Sequence, residues 1–112
     1  MSDEIHYKIF KLLEAQPDLS QRQLSKELGV SLGKANYCVK AMLDKGWIKA
    51  NNFKNSQNKI AYVYLLTPQG LERKARLTLR FLKRRMEEFE QLKRDIEQLR
   101  READALKNGG SE

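Results

Sequence analysis

A mainly α-helical fold with a two-stranded β wing, continued by a long C-terminal helix, is predicted by three observations. Residues 19–31 hold two helix-start signals separated by a short helix and a glycine stop, the pattern of a helix-turn-helix. Residues 47–49 and 60–64 are rich in β-branched and aromatic side chains, and the polar stretch between them, residues 51–59, contains no acid. From Pro68 to about Leu106 apolar residues recur at heptad spacing. Together these make a winged helix-turn-helix followed by a dimerisation helix.

The first helix is expected to begin near Ser2 or Asp3, to present Ile5, Ile9, Leu12 and Leu13 on one face, and to stop at Pro17. Ser20 caps the second helix, and Gln23 completes a capping box with it. Leu24 and Leu28 point inward, and Gly29 supplies the left-handed residue that ends the helix. Ser31 caps a third helix, closed by Gly46, whose inward stripe is Ala35, Val39 and Met42, flanked by Leu32 and Leu43. By the ~100° step per residue, Gly33, Asn36, Tyr37 and Lys40 then lie on the outer arc. Thr67-Pro68 is an N-cap followed by proline at the first helical position, and Gly70 is a weak point in the turn that follows.

With Ala75 as position a, the last helix places Ala75, Leu82, Phe89, Ile96 and Ala103 at a. Leu71, Thr78, Arg85, Leu92, Leu99 and Leu106 fall at d, where Thr78 and Arg85 break the seam. The expected dimerisation residues are Leu82, Phe89, Leu92, Ile96, Leu99, Ala103 and Leu106. Positions g and e pair Glu88 with Lys93 and Asp95 with Arg100 between parallel chains, whereas an antiparallel pair sets acid on acid. The expected organisation is a winged domain over residues 1–66, the long helix over 67–107 and a disordered tail over 108–112.

Composition narrows the class. The 112 residues are 40% hydrophobic, enough for one modest core. A domain of the size of residues 1–66 buries only ~60% of the surface its unfolded chain exposes and gains from association, so a homodimer is expected. The net charge of +7 favours a polyanionic partner. Residues 30–59 concentrate it, with six lysines (Lys34, Lys40, Lys45, Lys49, Lys54 and Lys59) against the single acid Asp44. On a helix-turn-helix that arrangement points to double-stranded DNA, with the recognition helix at residues 31–45 in the major groove and the wing at 51–59 on the flanking backbone or minor groove. The Asn36 amide suits adenine, Tyr37 a sugar or thymine methyl, and the lysines phosphate.

A second basic run, residues 73–85, holds seven cations and no acid. It is open to three readings: a solvated face, contacts to flanking phosphates, or a seat for an acidic partner. No nucleophile and base, phosphate-cradling glycine loop or paired carboxylate points to an enzyme, and no cofactor is expected. His6 and the lone Cys38 have no companion ligands at metal spacing, and Cys38 lies beside Val39 on the edge of the inward arc, which suits an inert core thiol better than a redox sensor. One cysteine, an acidic start without a signal-like apolar run, and no stretch near the ~20 apolar residues of a membrane span lead to a cytoplasmic protein. No residue pattern names a small-molecule effector.

Leu28-Gly29-Val30-Ser31 leading to Asn36-Tyr37, then residues 43–49, the wing Asn52-Phe53-Lys54-Asn55-Ser56 and residues 64–70 resemble the MarR-type winged-helix regulators. Residues 74–78 and 80–84 are similar to the small exopolysaccharide-associated branch of that family, and the likeness spans about residues 5–106. The resemblance implies a homodimeric transcriptional regulator in which Ser31, Lys34, Asn36, Tyr37, Lys40, Lys54 and Asn55 contact DNA. Gly33 and Lys59 join them from the reading of the outer arc and the wing charge. Typical members carry a further N-terminal helix that helps to build the dimer and effector pocket. This sequence starts at the helix that follows it, so the C-terminal helix is expected to carry dimerisation largely alone, without a small-phenolic site. The competing expectation is a winged-helix adaptor that recruits another protein through its coiled coil.

Overall fold

The computed structural model describes residues 3–54, 57 and 60–109. Six elements follow in order: α1 (Asp3–Ala15), α2 (Gln21–Leu28), α3 (Leu32–Asp44), β1 (Ile48–Lys54), β2 (Ile60–Leu66) and α4 (Pro68–Gly109). The chain divides into two units, residues 1–78 and 79–112. The first holds the winged helix together with the opening turns of α4; the described part of the second is the remainder of α4.

Local chemistry sets the helix ends. Ser20 accepts the Gln23 N–H at 3.1 Å while the Ser20 N–H donates to the Gln23 side chain at 2.9 Å, the expected capping box. Gly29 has φ 69° and Gly46 φ 74°, a conformation that side chains with a Cβ resist. Past each glycine the chain folds back onto its helix, Val30 N–H to Ser25 O at 3.1 Å and Trp47 N–H to Met42 O at 3.0 Å, in the Schellman arrangement.

The core of the first unit is formed by Ile9, Phe10 and Leu13 of α1, Leu19, Leu24, then Ala35, Cys38, Val39 and Met42 of α3, with Ile48, Tyr64 and Leu77. In α1 the inward stripe therefore differs from the expected one: Ile5 and Leu12 are half-buried, and His6 and Phe10 take the central places. The reason is Trp47. Its ring lies 5.2 Å from His6, edge to face, and 6.1 Å from Phe10. Lys45 and Arg73 place their cations over the same ring at 4.8 and 5.1 Å. Arg73 also binds Asp3 at 3.1 Å, and Lys74 pairs with Glu14, so the start of α4 is fastened to α1.

His6 is only 3% exposed, and burial, followed by the nearby Lys45 cation, lowers its pKa below the ordinary 6.5 despite the opposing pull of Asp3. Above that value the imidazole is neutral in the folded and the unfolded chain alike, and below it the unfolded chain takes up the proton more readily. Stability should therefore fall as pH drops below about 6.5. We expect urea midpoints measured at pH 7.5 and pH 5 to differ more for the parent than for His6→Phe. Equal pH dependence in the two would show that His6 does not oppose acid unfolding.

β1 and β2 pair antiparallel, from Ile48 with Leu66 to Lys54 with Ile60. The strands are longer than expected. The polarity of Asn51 to Lys54 suggests loop, but the ladder extends through them, leaving residues 55–59 as the connection. Pairing overrides the weak strand preference of Asn51 and Asn52. The Tyr64 N–H also donates to Pro17 O at 3.0 Å, tying β2 to the segment before α2.

α4 continues to Gly109, beyond the expected end near Leu106, so Asn108 and Gly109 are helical where a disordered tail is expected from sequence. Thr67 caps its start, accepting the Gly70 N–H at 3.0 Å and donating to Gly46 O. In the first unit α4 buries Gly70 and Leu77 and leaves Leu71 and Ala75 exposed. The face packed on the winged helix is thus not the a and d face.

Candidate nucleic-acid interface

The turn between α2 and α3 fixes the outer helix. Ser31, extended at φ −65° and ψ 156°, accepts the Lys34 N–H at 3.1 Å, so its side-chain oxygen is engaged as the cap of α3. Behind it Ala35, Cys38, Val39 and Met42 are at most 1% exposed and anchor the helix. Gly33, Lys34, Asn36, Tyr37 and Lys40 are all exposed, as the helical step requires, with Tyr37 at 67%. A Cβ at Gly33 would meet nothing within 4 Å, so the fold itself does not demand glycine there.

On the wing, Lys54 is exposed at the end of β1. Asn55 and Lys59 lie outside the described residues. The register adds two side chains that sequence reading misses. Asn52 stands opposite Tyr62, and by strand alternation both share a face with Lys54. That face is the continuation of the one that buries Ile48 and Tyr64 at the base of the ribbon, and it is exposed by Tyr62, at 52%. Alternation counted back from Tyr64 is the signal that could have found them.

Charge separates the outer helix from α4. Lys34 and Lys40 have no acidic partner among the described residues. In the basic run, by contrast, Arg73 is held by Asp3, Lys74 by Glu14, Arg76 by Glu72 at 2.7 Å and Arg85 by Glu88 at 3.0 Å. Arg73 and Lys74 therefore serve the fold, which the absence of acids within residues 73–85 does not reveal, because their partners are distant in sequence.

Cys38 is fully buried, and burial pushes its thiol pKa up even though Lys34 pulls the other way. That is the environment of a packing residue. No group of three or more His, Cys, Asp or Glu side chains able to hold a metal occurs among the described residues, and none of the described helices is long and apolar enough to cross a membrane. On α4, the seam residues Leu82, Phe89, Leu92, Ile96, Leu99 and Leu106 are 42–76% exposed, and Ala103 is exposed with them.

A family profile described as winged helix-turn-helix DNA-binding matches residues 2–49. No curated protein matches the chain. Among solved structures, the PcaV transcriptional regulator of Streptomyces coelicolor, in complex with its natural ligand, is similar with TM-score 0.61 and 22% identity, over 89% of this chain and 73% of its own. A MarR/EmrR family transcriptional regulator from Acinetobacter sp. ADP1 gives 0.60 and 24%, over 88% and 74%. FabT of Streptococcus pneumoniae, in complex with DNA, gives 0.54 and 28%, over 80% of this chain and 59% of its own. The chain thus has the winged helix-turn-helix fold of the MarR-type transcriptional regulators.

Proposed function

We propose that the protein is a homodimeric, sequence-specific DNA-binding transcriptional regulator of the cytoplasm. In this reading α3 enters the major groove, and the wing lies on the flanking backbone or minor groove. The observation that carries it is the outer face of α3, where exposed Lys34, Asn36, Tyr37 and Lys40 combine two cations lacking acidic partners among the described residues with groups able to read base edges. Gly33 leaves room for close approach of the helix backbone, and Lys54 with Asn52 and Tyr62 offers the wing contact. The DNA-bound state of FabT supports this use of the fold.

An adaptor that recruits a protein through α4 has no need of such a face. A link to exopolysaccharide genes rests on the likeness of residues 74–78 and 80–84 alone, and two of those residues, Lys74 and Leu77, already have roles in packing. We assign no effector.

Gel shifts on selected and random duplexes test the reading, because the two arms should fail differently. Lys54→Ala should weaken binding to both duplexes and flatten the salt slope by ~0.9, the share of one neutralised phosphate. Asn36→Ala should cost ~1–3 kcal/mol of discrimination, roughly 5–150-fold, with the salt slope unchanged. Equal weakening on both duplexes by Asn36→Ala would move base reading to Tyr37 or the wing. Failure of the parent to shift any duplex would remove the regulator reading.

A further inference from the structure

Beyond the residues of the expected seam, Leu79 and Met86 are 68% and 59% exposed on α4. They line an open apolar groove with Leu82, rimmed by Lys83, Glu87, Glu90 and Arg94. Neither belongs to the unbroken heptad counted from Ala75, which instead puts Arg85 in the seam. Arg85 keeps its side chain 74% exposed and bound to Glu88 at 3.0 Å. A guanidinium at the centre of an apolar interface would have to give up water.

The spacing of the large apolar residues resolves this conflict. Leu79, Leu82, Met86 and Phe89 are separated by three, four and three residues, one correct heptad phase. Phe89, Leu92, Ile96, Leu99, Ala103 and Leu106 follow at three, four, three, four and three, another correct phase. The two meet at Phe89, where successive three-residue steps replace the usual alternation and locally overwind a coiled coil. In the first phase Leu79 and Met86 become a, Leu82 and Phe89 become d, and Arg85 moves out of the core to g.

We infer that residues 79–106 pair with the same segment of a second copy as a parallel, in-register coiled coil whose heptad phase shifts at Phe89. The inference rests on the homodimeric reading above and specifies its partner helix and register. Charge complementarity selects the occupant and its direction. The g-to-e contacts of the parallel pair are Arg85 with the partner's Glu90 in the first phase, then Glu88 with the partner's Lys93 and Asp95 with the partner's Arg100 in the second. All three join opposite charges. An antiparallel pair centred on Leu92 instead brings Lys83 beside the partner's Arg100.

Single cysteines in the full chain test both register and direction, and buried Cys38 does not compete. A disulfide needs Cα atoms within about 7 Å, which equivalent core positions of a parallel coil provide and flanking g positions do not. Met86→Cys should form disulfide-linked dimers on mild oxidation, at least tenfold faster than Arg85→Cys. Faster linking by Arg85→Cys would restore the unbroken heptad and overturn the phase shift. Linking of Met86→Cys only when mixed with Leu99→Cys would reverse the direction and overturn the parallel pair. A gel shift of the parent chain reads the regulator function separately: absent DNA binding by the parent, with intact cross-linking of Met86→Cys, would sink that function and still support the coil.

Discussion

Replacing Gly70 with alanine should destabilise the winged helix by about 3 kcal/mol, a loss of roughly 10–20 °C in Tm. Within a helix the same substitution ordinarily stabilises by up to ~1 kcal/mol, since alanine has the better helix propensity. Here a Cβ would sit 1.9 Å from the Trp47 carbonyl oxygen and 2.8 Å from its carbon. The obstacle is backbone, and that oxygen also accepts the Thr67 N–H at 3.0 Å, so it cannot turn aside without breaking the junction between β1 and α4. Gly33→Ala is the control: with nothing within 4 Å of its Cβ it should leave Tm unchanged or slightly raised. Thermal unfolding of the two variants checks the contrast, and equal Tm values would mean that α4 can shift away from Trp47 at little cost.

Gly70 also shows where sequence reading stops. As a residue in the first turn of a helix it reads only as a weakness, because its function depends on a carbonyl 23 positions away. Ser20, Gln23, Gly29, Ser31 and Gly46 are legible because capping is chemistry between near neighbours, expressed in the same few residues that perform it. The outer arc of α3 follows from the helical period once Ala35, Val39 and Met42 set the inner one. His6, Trp47 and Arg73 are not legible as a cluster, since α1, the turn before β1 and α4 meet there only after folding. The position of the wing is legible but the length of its strands is not, because Asn51 and Asn52 carry a loop composition on a paired backbone. On α4, Thr78 and Arg85 are visible as faults in the seam. Their meaning comes from asking which apolar neighbours are left uncovered, and Leu79 and Met86 are.

Those uncovered residues make Ile96→Asp the most damaging single change expected in the seam. Ile96 lies at the same core position whether the seam is read as one heptad phase or two, and at 42% it is the least exposed of its large apolar residues. In a dimer its side chain would be buried to a gain of ~1.5–3 kcal/mol per chain, and an aspartate there would face its own copy inside the apolar layer. Light scattering should then show monomers where the parent shows dimers. The winged helix should keep its thermal transition, because among the described residues none of its core lies beyond Leu77. Two DNA-reading heads that act as one unit gain ~10²–10⁴-fold from their linkage, and a monomer forfeits that gain on a two-half-site operator while keeping its weak grip on a single half-site. A variant that stays dimeric would place the interface on another surface. One that becomes monomeric without loss of affinity would show that a single winged helix suffices to hold the site, and the dimer would then need a purpose other than binding.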